Sequence, residues 1–397
     1  DFNVPHFRVE NTDTSTKYAY VQTAIDNATA GQTIVLEAGI YRENIVIDKE
    51  MNLWGSSVGP GENNVVWDGL HTSTATIFTV DNSDGFGAPP VANSSQAAIT
   101  VSADNVNIVT LILANFTHGI YVEGSNDVDI SSVAIVRTQA SGISIASSDS
   151  VVMSGIYILG KGITETGISI EDSASSVQLF GGVDVGYGDS IIIHCEKGIN
   201  VAGDDVSIDG VEIVSGTDDG IHITATASDV ILANNIIQNN NGNGIDVSGL
   251  TSGTNKFYGN IIFDNGATEF QVTSSYDLEI YQNTISDAAS GYGLRLIDGS
   301  NNKIYENTMY TSIWLNNADY TSIYDNDFLN ITGVPEISYD EAAIVIASSN
   351  NTISDNTIEN VGIAFAFLPS NDPNYNIVEN NTINIDSLQK SIEYYTS

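Results

Sequence analysis

The sequence predicts an all-β solenoid, a parallel β-helix in which each coil lays its strands on those of the coil before. Three observations carry this. The first is a recurring phrase: Gly119-Ile120-Tyr121-Val122 returns as Gly142-Ile143-Ser144-Ile145, Gly167-Ile168-Ser169-Ile170, Gly198-Ile199-Asn200-Val201, Gly220-Ile221-His222-Ile223 and Gly244-Ile245-Asp246-Val247. It continues as Glu269-Phe270-Gln271-Val272, Gly293-Leu294-Arg295-Leu296, Ser312-Ile313-Trp314-Leu315, Ala343-Ile344-Val345-Ile346 and Gly362-Ile363-Ala364-Phe365. Successive first positions lie 23, 25, 31, 22, 24, 25, 24, 19, 31 and 19 residues apart, a period that belongs to repeat architectures. The second is alternation: the second and fourth residues are apolar and the third varies. On a strand that sends two side chains into a core and one out of it. The third is a series of asparagines, Asn235, Asn260, Asn283, Asn307, Asn326, Asn356 and Asn381, at steps of 25, 23, 24, 19, 30 and 25. Equivalent asparagines one coil apart form an amide ladder, and asparagine tolerates the left-handed backbone that such turns need.

The elements follow in order. Phe2-Asn3-Val4 and Phe7-Arg8-Val9 are short β-like pieces parted by Pro5, expected to pack on their own first coil or to reach a neighbour by strand addition. From Tyr18 to Ala30 the spacing of Val21, Ala24, Ile25 and Ala28 is helical, with Ser15 or Thr16 as cap and Gly31 as stop. A solenoid end exposes core and unpaired backbone, so this amphipathic helix is expected to be a lid. Strands build the first coils through Val80, and residues 82 to 97, with Pro89-Pro90, form an inserted loop before coils resume at Ala98. The 31-residue steps mark two more loops, Phe180 to Ser190 and Asn330 to Glu341, and projecting loops are where binding usually resides. Beyond Ile385, Asp386 to Tyr395 is either a short capping helix with Leu388 and Ile392 inward or an exposed contact ending in Tyr394-Tyr395. The plan is residues 1–31 for the N-terminal strand segment and helical cap, 32–385 for a β-helix of about a dozen or more coils, and 386–397 for a C-terminal cap or contact segment. A solenoid is one domain whatever its length, because each coil touches only its neighbours.

The entry segment completes a pattern. Tyr20-Val21-Gln22-Thr23-Ala24-Ile25-Asp26-Asn27-Ala28, Gly31-Gln32-Thr33-Ile34-Val35-Leu36, Gly39-Ile40-Tyr41-Arg42-Glu43-Asn44-Ile45-Val46-Ile47 and Leu53-Trp54-Gly55 precede the repeats. With them, the chain resembles the right-handed parallel β-helix proteins of the pectin-lyase-like superfamily, above all the NosD-like, parallel-β-helix-repeat branch. The resemblance covers roughly residues 18 to 385. It implies a right-handed coil and little about function, since this architecture hosts lyases, hydrolases, epimerases, phage spikes and adhesins.

Charge narrows the partners. The chain has 50 acidic and 11 basic residues, a formal net charge of −39. That argues against nucleic acid, whose phosphates need Lys and Arg, and against anionic lipid. Such acidity suits a solvated, halophilic surface, or carboxylate clusters that hold calcium or another cation. The single Cys195 excludes an internal disulfide and, beside Ile191 to Ile193, is expected to be a buried thiol rather than a nucleophile. Histidines at 6, 71, 118, 194 and 222 have no local zinc spacing, and with three methionines they leave few soft ligands for a NosD-like copper role. No apolar run nears 20 residues, so no membrane span is expected. The start at Asp1, without a signal-like segment, suggests a mature or trimmed product. Candidate glycosylation acceptors are Asn27, Asn93, Asn115, Asn330, Asn350 and Asn381. Together these features suggest an extracellular glycoprotein of an archaeal cell surface.

Stacked in register, the third positions form one outward stripe about 4.8 Å apart: Tyr121, Ser144, Ser169, Asn200, His222, Asp246, Gln271, Arg295, Trp314, Val345 and Ala364. His222, Asp246, Gln271, Arg295 and Trp314 are its candidate ligand-binding residues, Trp314 stacking on a pyranose face and the others bonding hydroxyls. The alternative is an ordinary polar face whose lateral pairs contribute little. One residue before each glycine, Lys197, Asp219 and Asn243 also stack, which pairs Lys197 with Asp219. Polygalacturonase-type hydrolases of the resembled fold carry Asn-x-Asp, Asp-Asp, Gly-His-Gly and Arg-x-Lys, their carboxylates providing acid and base. Asp218-Asp219 before Gly220-Ile221-His222 resembles the middle of that set, and Asp204-Asp205 is a second pair. Asn11-Thr12-Asp13 lies outside the repeats, Gly-His-Gly is missing, and Arg8, Arg42, Arg137 and Arg295 have no Lys two residues on. For a lyase base the candidates are Arg137, Arg295, Lys161 and Lys197, none in a motif, and the surface charge repels polyuronate unless cations intervene.

The expectation is therefore a non-catalytic extracellular cell-surface protein, a rigid acidic rod serving as a structural, assembly or adhesion component. It would self-associate or meet other surface proteins, and bind calcium or glycans. The alternative is a polysaccharide lyase or glycoside hydrolase acting on a glycan along the outer face, with Asp218, Asp219, His222, Asp246 and Arg295 as its catalytic set. The sequence assigns no metal ligands.

Overall fold

A computed structural model describes residues 8–55, 76–79, 96–162, 165–181, 189–286, 292–331, 342–368, 375–384 and 390–394. Among these, short strands make up the regular structure apart from one helix, and they pair in parallel with the equivalent strands of the next coil. The expected parallel β-helix is present. The chain divides into two compact units, Asp1–Glu196 and Lys197–Ser397.

In the first unit one ladder runs through Gln32–Leu36, Met51–Gly55, Val106–Ala114, Asn126–Val136, Asp149–Ser154 and Ser175–Phe180. A second runs through Ile45–Ile47, Ala97–Val101, His118–Glu123, Ser141–Ala146 and Thr166–Ile170. Its inward pairs, Ile99 and Val101, Ile120 and Val122, Ile143 and Ile145, Ile168 and Ile170, are buried, each side chain stabilising the core by about 1.5–3 kcal/mol. Val9–Asn11 breaks the parallel rule by pairing antiparallel with Gln32–Leu36 and Thr16–Tyr18. Val9 thus packs on its own chain; Phe2 to Val4 lie outside the described residues.

The lid helix is shorter than its apolar spacing suggests, Val21–Asn27, and it buries Val21, Ala24 and Ile25. Neither Ser15 nor Thr16 caps it, because Thr16 belongs to the strand Thr16–Tyr18 and the helix opens after Tyr20. The Glu43 carboxylate takes that role across the coil, accepting from the N–H groups of Val21 at 3.0 Å and Gln22 at 3.1 Å. At the other end Lys49 Nζ donates to the carbonyls of Ile25, Asp26 and Ala28. An anion at the N-terminus and a cation at the C-terminus both complement the helix dipole.

In the second unit the site-bearing ladder comprises Lys197–Val201, Ile221–Ile223, Ile245–Ser248, Phe270–Thr273, Tyr292–Ile297, Ser312–Asn316, Ala342–Ala347 and Ile363–Phe367. The phrase register holds through Ala342–Ala347. In the last coil it slips by two: Ile344 faces Phe365 and Val345 faces Ala366, so Ala366, not Ala364, continues the outward column. A slip of two residues keeps every side chain on its face, so alternation cannot detect it. Lys390–Tyr394 then adds a further parallel strand to Ile363–Phe367. Over Lys390–Tyr394 this replaces the helical alternative for Asp386 to Tyr395 with a strand, because the exposed sheet edge is a template for strand pairing.

The asparagine ladder forms from Asn235 to Asn381, each amide nitrogen donating to the next Oδ1 at 2.9 or 3.0 Å. The left-handed residue is not the ladder asparagine but the one before it: Asn234, Gly259, Gln282, Glu306, Asp325, Asp355 and Asn380 all have positive φ. This frees the ladder side chain to turn inward. Asn283 shows a complete set of bonds: its Oδ1 accepts from Asn260 N and Nδ2, while its Nδ2 donates to Phe257 O and Asn307 Oδ1. A parallel stack of rings, Tyr258, Tyr281, Tyr305 and Tyr324 with centroids 4.9–5.0 Å apart, repeats on the same coils.

Removing Asn283 strands buried groups on two adjoining coils, at about 1–3 kcal/mol for each one left unsatisfied. Asn283→Ala is expected to lower the urea midpoint by the equivalent of about 2–4 kcal/mol. Asn381→Ala, at a partly exposed rung where water substitutes, is expected to cost about 1 kcal/mol or less. Equal losses in the two variants would show that the ladder contributes no more than its solvent-accessible end.

Candidate functional site

The outward column of the second unit reads Asn200, His222, Asp246, Gln271, Arg295, Trp314, Val345 and Ala366, one residue per coil. Strand pairing therefore places His222 beside Asp246 and Arg295 beside Trp314. Asp219 joins from the turn before Ile221–Ile223. Its Oδ1 accepts from Asn243 N at 2.7 Å, a close approach that requires Gly242, where a Cβ would fall 2.6 Å from that oxygen.

These residues converge on the His222 ring. Nδ1 lies 3.0 Å from Asp246 Oδ2 and 3.6 Å from Asp219 Oδ2. It is enclosed but makes no well-directed hydrogen bond, so proximity to two carboxylates, rather than bond alignment, defines its environment. Asp219 first and Asp246 second push the His222 pKa up to about 9, against burial and Lys197, which act the other way. For Asp246, burial favours the neutral acid, but His222, Gln271 and Ser248 outweigh it and hold the carboxyl below its usual range. Gln271 Nε2 donates to Asp246 Oδ1 at 3.1 Å. Lys197 does not pair with Asp219 as backbone stacking suggests. Its Nζ lies 3.8 Å from Asp218 Oδ2, because Asp219 is turned toward His222 and Asn243.

Arg295 and Trp314 form the other end of the column. The guanidinium carbon sits 4.4 Å from the Trp314 ring centroid, and Tyr292 stacks on the same ring at 4.7 Å. Trp314 also packs against the buried cluster of Ala342, Val345, Ala347, Ile363, Ala366 and Leu368. The indole is thus occupied by protein contacts and offers a sugar its edge more readily than a face. Arg295 has no acidic partner among the described residues.

A family model described as "Right handed beta helix region" matches residues 97–253 and 185–310, together more than half of the chain. The chain belongs to the right-handed β-helix family. No curated protein sequence matches it significantly. Among solved structures, the periplasmic alginate epimerase AlgG is 11% identical with a TM-score of 0.49, covering 89% of this β-helix and 85% of that chain. A family 28 exopolygalacturonase of Yersinia enterocolitica is 12% identical, with a TM-score of 0.45 and coverage of 96% and 77%. The Agl-KA catalytic domain is 14% identical with a TM-score of 0.45; the match covers 71% of this chain and 62%, less than two thirds, of that one.

The other expected features of this β-helix separate from the cluster. Asp204 Oδ1 accepts from Ser228 Oγ at 2.8 Å and Asp205 has positive φ, so that pair opens the strand Asp204–Asp209 and bonds to the next coil. Asn11 Oδ1 accepts from the N–H groups of Asp13 and Thr14, which makes Asn11-Thr12-Asp13 a local turn. Arg137 and Lys161 belong to the first unit, outside the cluster. Of the acceptor asparagines, Asn27 and Asn330 are exposed, Asn115 and Asn350 half-buried, and Asn93 lies outside the described residues. Asn381 is a correction: Thr382 follows it directly, so the acceptor of Asn380-Asn381-Thr382 is Asn380. The Asn381 amide is in any case bonded to Ile353 O and Glu379 O. The loop segments 80–95, 182–188 and 332–341 also lie outside the described residues.

Sequence reasoning missed one cavity. In the first unit a cavity of about 320 Å³ is lined by Asn44, Ile45, Val46, Gln96, Ala97, Thr100, His118 and Tyr121. His118 Nδ1 lies 2.6 Å from Ser141 Oγ, and burial lowers the His118 pKa. The signal was available: His118 lies just before a repeated phrase, where the matching residues of the next coils are Ser141 and Thr166.

Cys195 is buried as expected. Burial first, with Glu165 adding to it, pushes its thiol up to about 12. Since the thiolate is the reactive form, the folded protein is expected to be inert to a thiol-specific reagent at mildly alkaline pH and to react stoichiometrically once unfolded. Labelling of the folded chain at the rate of a free cysteine would contradict this burial.

Proposed function

We propose that this right-handed β-helix binds a polysaccharide along the outward column of its second unit and cleaves it there, as a polysaccharide lyase or glycoside hydrolase. One observation carries the proposal: the convergence of Asp219, His222 and Asp246 into a group whose donor atoms lie within 4.8 Å of one another. Gln271 and Arg295 continue the same column, one residue per coil. A passive face has no need to gather two nearly buried carboxylates around one imidazole. Desolvating them is costly, and pairs between coils contribute little in return. In this reading Asp219, His222 and Asp246 contact the reacting sugar, Asp218 and Lys197 flank it, and Arg295 binds an anionic or hydroxyl group further along.

The second reading is the non-catalytic, extracellular rod favoured by composition. It draws on the absence from the sequence of the Gly-His-Gly and Arg-x-Lys that polygalacturonase-type hydrolases carry. The charge of −39 supports a solvated extracellular setting in both readings.

Incubation with a panel of acidic and neutral polysaccharides, following unsaturated products and new reducing ends, distinguishes them. Turnover is expected from the wild type, with Asp219→Ala and Asp246→Ala each losing at least about 100-fold while keeping their far-UV circular dichroism. A folded wild type that neither binds nor cleaves any polymer, yet sediments as ordered assemblies at high salt, would leave the rod.

A further inference from the structure

We propose that Asp219, His222 and Asp246 form a binding site for one divalent first-row transition ion, with zinc and manganese as its probes. The inference starts from the same convergence of donor atoms as the polysaccharide reading, but it requires no glycan and stands or falls on ion binding alone. One imidazole nitrogen and two carboxylate oxygens on one side of an open position are ligands such ions accept. An ion with bonds of about 2.0–2.2 Å in tetrahedral geometry holds its donors about 3.3–3.6 Å apart. The two nitrogen–oxygen edges here are 3.0 and 3.6 Å, and all three donors fall within 4.8 Å. A small closing movement of the carboxylates completes the triangle.

Two further observations point the same way. His222 Nδ1 is an enclosed polar atom without a directed hydrogen bond, although carboxylate oxygens lie 3.0 and 3.6 Å away. The opposite oxygens are already engaged: Asp219 Oδ1 accepts from Asn243 N, and Asp246 Oδ1 from Gln271 Nε2. Each carboxylate is thereby turned so that its Oδ2 meets the nitrogen, as outer partners turn ligands at metal centres. Side-chain exposures of 20%, 10% and 11% for His222, Asp219 and Asp246 shelter the donors from bulk water. Calcium suits the set less well, since it takes six to eight oxygens and no nitrogen.

The test uses the full chain, stripped with a chelator and dialysed against zinc or manganese chloride without glycan. Excess calcium occupies the diffuse sites that 50 acidic side chains provide. The expected result is one zinc or manganese per chain. His222→Ala and Asp246→Asn should lose it, Gln271→Ala should bind about tenfold more weakly, and the remote Asp325→Asn should match the wild type. Uptake equal in wild type and His222→Ala, or none in either, overturns the site. Should a variant fail to fold, the wild type decides by proton NMR. Manganese at substoichiometric levels should broaden the His222 ring resonances before those of the other histidines, and indiscriminate broadening rejects the proposal. Because no polymer is present, loss of this site and loss of the polysaccharide reading are separate outcomes.

Discussion

Everything in this protein depends on residue-for-residue pairing between successive coils. A short strand leaves its N–H and C=O groups open on both edges, and burial without partners costs more than any single contact returns. Each coil meets that demand by matching the one before it. Apolar inward pairs supply the larger energy, but an Ile or Val stacks nearly as well two residues along. The asparagine ladder discriminates more finely, because a buried amide out of register loses several bonds at once. It also offsets a local cost. Turns before the ladder place residues such as Gln282, Glu306 and Asp325 at positive φ, roughly 1–2 kcal/mol each for a non-glycine residue, and the adjoining fully bonded amide makes that conformation affordable.

Register fixed inside is register fixed outside. The same pairing that sets Ile221 on Ile245 sets His222 on Asp246, so the outward column inherits positional precision from a core it does not touch. This separates the cluster from an ordinary surface ion pair, whose long side chains lose entropy on meeting. Aspartate and histidine are short, and their backbones are already held. Lys197 and Asp218 show the contrast: a more exposed pair at 3.8 Å beside an enclosed trio.

The sequence displayed the repeat, the inward pairs, the ladder asparagines and the meeting of His222 with Asp246, because each follows from a period that residue types reveal. It hid what depends on side-chain direction. Asp219 aligns by backbone with Lys197, yet turns to His222 because Asn243 N captures its other oxygen. Trp314 reads as an open platform, but Arg295, Tyr292 and the final coils cover it. The slip at Ala366 was invisible because two residues restore the alternation. The helix ends were misplaced because the groups that cap them, Glu43 and Lys49, are distant in sequence. A shorter second ladder, Asn240 on Asn265 at 2.9 Å, escaped notice because Glu269 interrupts the series.

The cluster also bears on why this part of the wall is polar. Two carboxylates at 7% and 8% residue exposure lose several kcal/mol of hydration each, and a protonated imidazole recovers only part of that through charge attraction. An apolar column would close the coil at lower cost, as Val345 and Ala366 do further along the same line. The fold therefore does not require Asp219, His222 and Asp246; it tolerates them because the ladders on either side hold the backbone regardless. Their cost to the fold is why the proposals for this site look to a bound ligand, and not to stability, for the reason that two adjacent coils gather two carboxylates around one imidazole.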